Sequence, residues 1–224
     1  MQAYLVFCVK SRYFIYYILF VSSFLGLLLF SGINFHQSLY RNVSELHLAS
    51  LSAENSNVKF SDQTITLQAK MEGFLMPLPH DRMINARLLD WMSYSSRSLY
   101  YIAEMEDKIL VASTTRPTWS PTYIQLFKLY WRVGNEDKAI EMLRLANMFG
   151  PNRTDTMLTS VDYTFAYWQF ASQEDRLRAS KQLLTISESW KHRSELNQMI
   201  TYSPGKQRIC NMLAFNKVKV SACQ

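Results

Sequence analysis

The chain has 224 residues, of which 48% are hydrophobic, 14% aromatic and only 19% charged, a balance that excludes an intrinsically disordered protein. Six glycines and six prolines are too few for the many tight turns of a β-sandwich or barrel and leave no room for a Gly-rich phosphate loop. Lys+Arg 24 against Asp+Glu 18 gives a net charge of +6, but the basic residues alternate with acids instead of forming the concentrated stripe that nucleic acid requires. No nucleic-acid partner is expected.

In chain order, the first element is a candidate membrane anchor. Tyr13 to Phe30 reads YFIYYILFVSSFLGLLLF, eighteen residues without a charge; as a helix it spans roughly 27 Å, close to the hydrocarbon core of a bilayer. Lys10 and Arg12 stand just before it. The positive-inside rule then keeps residues 1–12 in the cytoplasm and sends everything after Phe30 across the membrane. Tyr13, Tyr16 and Tyr17 suit the headgroup level. A cleaved signal peptide is the rival reading, but its apolar region is roughly 7–15 residues and ends in small residues, whereas Leu27-Leu28-Leu29-Phe30 leads only to Ser31-Gly32. A buried helix of a soluble protein is the third reading.

Residues 31–60 read as a stalk or linker: Leu39, Val43 and Leu46 lie at helical spacing, and Ser52 to Asn57 is polar throughout. Residues 61–215 then carry one helix-period pattern after another. Ser61 can cap a helix bearing Ile65, Leu67 and Met71. Met76-Pro77-Leu78-Pro79 breaks the chain, and Asp81 starts the next helix with Ile84, Leu88, Trp91 and Met92 on its face. A further helix over 98–113 ends before Arg116-Pro117. Later faces are Leu158, Val161, Phe165 and Trp168, then Ala179, Leu183, Ile186 and Trp190. Strand-like alternation is confined to Val58-Lys59-Phe60 and Val218-Lys219-Val220, and residues 216–224 read as a short basic tail. The predicted fold class is all-α.

The strongest local pattern is Ser120 to Arg153. Tyr123, Leu126, Phe127 and Tyr130 make one apolar stripe, and Gly134-Asn135 supplies a turn. Glu136 and Asp137 stand at a helix start, where the macrodipole favours negative charge. The second helix answers with Ala139, Met142, Leu143 and Ala146. This segment resembles a tetratricopeptide repeat, a helix-turn-helix unit of about 34 residues. Tyr123, Leu126, Tyr130, Ala139, Leu143, Ala146 and Pro151 take the usual places. Phe127 departs from the pattern, which prefers a small residue there, and this implies a looser or differently angled hairpin. Ile109, Ala112 and Pro117 fall in register as half a repeat before it, and 154–187 keeps the helix pairing while losing the motif. The resemblance implies a concave groove lined by the first helix of each pair. It makes Ile124, Lys128, Trp131 and Arg132 candidate partner-binding residues; the alternative is that Trp131 packs on the preceding hairpin and the two cations are solvated.

An anchor, a linker and a helical region punctuated by Arg116-Pro117-Thr118-Trp119 and Gly150-Pro151-Asn152-Arg153 resemble the VpsP-like accessory proteins of bacterial extracellular polysaccharide biosynthesis. Similar punctuation occurs in the helical tails of some O-antigen-ligase-like membrane proteins. The resemblance implies a single-pass inner-membrane protein of a Gram-negative bacterium, its helical domain periplasmic, assisting the production or export of a biofilm polysaccharide. Its partners would be inner-membrane and periplasmic proteins of that assembly system, besides the lipid bilayer around residues 13–30. Adaptors of other envelope machines, such as pilus assembly or cytochrome maturation, share the layout. A glycan-acting enzyme is the remaining class, with Asp155 and Asp162, or Glu104 and Asp107, as its only visible carboxylate pairs.

No catalytic signature accompanies this layout. His36, His47, His80 and His192 form no H-E-x-x-H pair, no G-x-S-x-G occurs, and Cys8, Cys210 and Cys223 lack metal-ligand spacing. The expectation is a non-enzyme with no metal and no cofactor. Given the topology, Cys8 faces the reducing cytoplasm while Cys210 and Cys223 share an oxidising compartment. There a bridge and two free thiols are both open. A bridge would tie residues 216–221 back to the last helix and stabilise by about 3 kcal/mol in the chain-entropy picture.

Overall fold

The computed structural model of the chain describes the backbone of residues 2–51 and 62–224, with side chains from Tyr16 onward within those ranges. The polar stretch Ser52 to Asn57, the strand candidate Val58 to Phe60 and the cap Ser61 lie outside the described residues, as do the side chains of Cys8, Lys10, Arg12 and Tyr13. Among the described residues every regular element is helical: α1 (Gln2–Ser50), α2 (Asp62–Glu72), α3 (Pro79–Ser96), α4 (Ile102–Thr115), α5 (Ser120–Arg132), α6 (Glu136–Phe149), α7 (Thr154–Ala166), α8 (Gln173–Glu188), α9 (Arg193–Tyr202) and α10 (Lys206–Phe215). The helical region expected as one domain over 61–215 is divided into two units, one ending at Tyr101 and the other Ile102–Gln224.

The first unit is built on α1. From Tyr16 to Phe30 every side chain except Val21 is exposed, so this stretch is apolar on all sides and approached by other protein only near its end, at Leu28 and Leu29. α1 is the one helix among the described residues long and apolar enough to cross a membrane. The helix continues without a break past Phe30, and residues 31–50 are not the isolated stalk that the sequence predicts: they pack against α2 and α3. The buried face differs from the apolar one. Gln37 and Ser44 are buried, while Leu39, Val43 and Leu46 are exposed. Polar groups therefore make much of the contact. Arg41 grips the buried Asp81 through Nε–Oδ1 at 2.5 Å and Nη2–Oδ2 at 3.0 Å, which also raises the Arg41 pKa, through that hydrogen bond first. His47 meets the Thr64 hydroxyl at 2.8 Å, and Glu45 meets His80 at 2.6 Å.

α2 and α3 complete this unit around Leu67, Met71, Phe74, Ile84 and Leu88, with Tyr40 and Leu48 of α1 against them. Leu67 and Met71 are buried as the periodicity predicts, but Ile65 points outward and Thr64 takes the buried place. Pro79 opens α3, and Asp81 accepts from the Leu78 N–H at 2.8 Å. α3 ends at Arg97 in the left-handed region, so the next helix starts at Ile102 and not at Ser98.

In the second unit α5 is the central helix of its neighbourhood, packed by α4, α6 and α7. Gly134, at φ 74°, carries the chain out of α5; a side chain there would be strained. The Asn135 side chain then accepts from the Lys138 N–H and caps α6. Farther on, Val161 and Phe165 of α7, Leu183 and Ile186 of α8, Leu196 and Ile200 of α9, and Ile209 and Leu213 of α10 form one core. Trp190, predicted to continue the α8 face, instead stands 84% exposed in a short 3₁₀ turn. The Val218–Val220 strand candidate is not a strand, and the tail is not free. Val220 is buried in the same core, the Ala222 N–H donates to Asn197 Oδ1, and Cys210 and Cys223 are joined in a disulfide with their Cα atoms 5.5 Å apart.

Candidate functional site

The residues proposed for a partner-binding face sit on α5, and three packed neighbours leave that helix little free surface. Ser120, Thr122, Tyr123, Ile124, Leu126, Phe127, Leu129 and Tyr130 are all buried. Ile124, at 2% exposure, is therefore a core residue and leaves the candidate set; a helix covered on several sides buries more than the single stripe its sequence pattern displays. Lys128 and Arg132, one turn apart, remain exposed. Trp131 lies between, half-buried.

The ring contacts of Trp131 beyond its own helix are with α7, in the following hairpin. Phe127 and Trp131 form a stacked i, i+4 pair on α5, with ring centroids 6.0 Å apart. Tyr163 and Tyr167 form a second i, i+4 pair on α7, tilted, at 5.2 Å. The two pairs interlock: Trp131 meets Tyr163 at 5.3 Å and Tyr167 at 5.1 Å, both near edge-on, and Phe127 meets Tyr163 edge-on at 5.7 Å. Edge-to-face geometry places the positive rim of one ring on the negative face of another, adding about 0.5–1.5 kcal/mol per pair to the burial itself. Phe127 is thus an aromatic anchor toward α7. The sequence displays the signal, two i, i+4 aromatic pairs, but not the adjacency of their helices.

The charges around this seam are mixed. On one side are Lys128 and Arg132. On the other, Tyr163 has its pKa raised by burial first, then by Glu136, Tyr167 and Asp175. Asp162, beside Tyr163 in sequence, has its pKa raised by desolvation, while a hydrogen bond to Ser203 and the Lys128 charge pull it back down. Its Oδ1 is buried without a hydrogen-bond partner. An open aromatic edge flanked by a guanidinium and an ammonium can accept a ring, a sugar face or a carboxylate.

The other carboxylates named from sequence have local tasks. Asp155 accepts from Arg153 at 3.2 Å and from the Thr156 N–H at 2.9 Å, at the first turn of α7. Glu104 pairs with Lys108 at 3.3 Å along α4. No group of His, Cys, Asp or Glu among the described residues could hold a metal ion. His192 contacts Thr154 and Glu195.

The two punctuating motifs both lie at the start of α5, the second through Gly150 against Ser120. Arg116 lies over the Trp119 ring at 4.7 Å, Trp119 is the residue just before α5, and the Tyr123 hydroxyl donates to the Pro117 carbonyl at 2.6 Å. Gly150 packs so tightly on the start of α5 that a Cβ there would come within 2.2 Å of Ser120 Oγ. Both motifs close the α5–α6 hairpin. Neither belongs to the aromatic seam.

No known protein family, curated protein or solved structure matches this chain.

Proposed function

We propose that this is a membrane-anchored accessory protein of extracellular polysaccharide production or export, working by binding other proteins and not by catalysis. In this reading residues 13–30 are an uncleaved anchor in a bacterial inner membrane and Ile102–Gln224 is a periplasmic, tetratricopeptide-like helical module. The observation that carries it is the seam between α5 and α7: an aromatic edge with Lys128 and Arg132 beside it, on the first helices of two consecutive hairpins. That is the position a tetratricopeptide-like module uses for its partner. The polysaccharide assignment itself rests on the motif resemblance. The disulfide between Cys210 and Cys223 supports an oxidising compartment for the second unit.

The test is complementation of a deletion strain. Arg132→Glu with Tyr167→Ser removes the exposed cation and the outer ring of the seam while leaving Phe127 and Trp131 in place. The doubly substituted protein is expected to accumulate in the membrane with a wild-type helical spectrum and to restore little polysaccharide. Wild-type polysaccharide output from that folded protein would dismiss the seam as the working surface. Unchanged output in the deletion strain itself would dismiss the polysaccharide role, and photo-crosslinking from position 167 would then name the machine it serves.

A further inference from the structure

The loop joining α2 to α3 exposes three apolar side chains within four residues: Leu75 at 77%, Met76 at 55% and Leu78 at 48%. Exposed apolar residues are ordinary when scattered, but a contiguous set asks what covers it. The position of this loop along α1 supplies an answer. α2 runs antiparallel to α1. Near its start Thr64 touches His47; after its end the Gln37 side chain, with its amide turned to satisfy its neighbours, pairs with the backbone of Leu75 and Met76 at 3.2 Å. α3 then leads away again, with Asp81 on Arg41 and His80 on Glu45. The α2–α3 loop is therefore the turning point of the unit nearest the apolar end of α1.

The same loop reaches the apolar run itself. An open cleft is lined by Leu28, Leu29 and Ile33 of α1 on one wall and by Lys70, Phe74 and Leu75 on the other. Leu28 and Leu29 are the last turn of the uncharged stretch. Gln37 lies about 10 Å beyond Phe30 along the helix, just past a headgroup layer of roughly 5–8 Å, and the cleft that sets Leu75 opposite Leu28 and Leu29 brings the loop back into that layer. Lys70 stands exposed at the last turn of α2, where its apolar stem can lie along the cleft and its ammonium can meet a lipid phosphate.

We propose that Leu75, Met76 and Leu78 form a second membrane contact, inserted into the headgroup–acyl boundary beside the exit of the anchor, with Lys70 on the lipid phosphates. This rests on the reading of residues 13–30 as an anchor. It makes the first unit an interfacial body seated on the bilayer and not a stalk standing away from it. The occupant of the cleft between α1 and the loop is then lipid.

The experiment uses the full chain with Cys8→Ser, reconstituted in phosphatidylethanolamine–phosphatidylglycerol vesicles. An environment-sensitive fluorophore is placed singly at Leu27→Cys, Leu75→Cys, Met76→Cys and Thr66→Cys, the last an exposed position on α2 near the Thr64–His47 contact. Nitroxide lipids labelled near the headgroup or deep in the acyl chain serve as quenchers. The expected result is deep-quencher loss at position 27, several-fold stronger shallow quenching at 75 and 76 than at 66, and a blue-shifted emission at 75 and 76. Quenching at 27 with positions 75 and 76 behaving like 66 overturns the second contact and leaves the anchor standing. Absence of quenching at 27 overturns the anchor, and the second contact with it. A Lys70→Glu substitution is expected to weaken the shallow quenching at 75; unchanged quenching removes the phosphate contact from the proposal.

Discussion

In the unit ending at Tyr101, α1 meets its neighbours through Gln37, Arg41 and Ser44, whereas in the unit Ile102–Gln224 α7 meets α8, α9 and α10 through Val161 and Phe165. Both contacts are buried, but they fail differently. An apolar contact weakens in proportion to the volume removed. A buried ion pair is almost all or nothing, since removing one partner leaves a charge that water cannot reach. Asp81 is 1% exposed and its carboxylate has both oxygens on Arg41. The first unit therefore adds the geometry of a few polar groups to a small apolar cluster, whereas the second rests on the amount of apolar surface it hides.

That contrast sets the largest expected effect. Arg41→Ala should destabilise the first unit by about 3–5 kcal/mol, and the loss should be local. Hydrogen exchange of the full chain in detergent would show lost protection in α2 and α3, with α7 and α8 unchanged. Equal loss in both units would mean that they unfold as one. A double substitution, Arg41→Met with Asp81→Leu, should recover most of the protection, because two apolar partners leave no stranded charge.

The next effect sharpens the other side of the comparison. Cys210→Ser with Cys223→Ser releases the chain segment that closes over α10 and should cost about 3 kcal/mol. Denaturant titration with and without reductant would measure it, and protection should fall first in α9, α10 and the Val220 segment. A stability indifferent to reductant would show that Val220 and the Ala222–Asn197 hydrogen bond hold the tail without the bridge.

Legibility in the sequence followed the same division. The apolar positions Val161, Phe165, Leu183 and Ile186 keep a clean helical period and are buried as that period predicts. The helical fold class and the uncharged run in α1 are readable for the same reason, since hydrophobic patterning reports burial directly. The period misleads where burial is polar: Leu39, Val43 and Leu46 mark the exposed face of α1, while Gln37 and Ser44 mark the buried one. It also misleads at helix ends, where Trp190 follows the α8 spacing but leaves the helix. Within the candidate site, Ile124 and Trp131 share a face on paper. The difference between them depends on where α4, α6 and α7 lie, and no local pattern carries that. Gly150 and Gly205 are similar cases. Each is explained by a backbone or side chain distant in sequence, Ser120 for one and Phe165 for the other.

The smallest effect tests a partly buried carboxylate in the apolar unit. Asp162 has its pKa raised above the usual carboxylate value by desolvation, opposed by Ser203 and by the Lys128 charge. A raised folded-state value means that the neutral acid is the form favoured by folding. Its contribution is full below the unfolded pKa, near pH 4 at about the ordinary aspartate value, and is lost as pH rises through the folded value. Ionising Asp162 in the folded protein leaves charge on a carboxylate whose Oδ1 lacks a hydrogen-bond partner. Asp162→Asn keeps the shape and removes the ionisation, and its stability relative to wild type should rise as pH climbs above the ordinary aspartate value, with the gain shrinking as pH falls toward about 4. Thermal unfolding of both proteins across that range gives the curve. A constant difference at all pH values would mean that packing, and not ionisation, separates them. A loss at neutral pH would mean that the attraction of Lys128 outweighs desolvation, making Asp162 and Lys128 a stabilising pair beside the aromatic seam. Lys128→Met decides between these: it should destabilise the wild-type protein more than it destabilises Asp162→Asn, the difference being the attraction between the two charges.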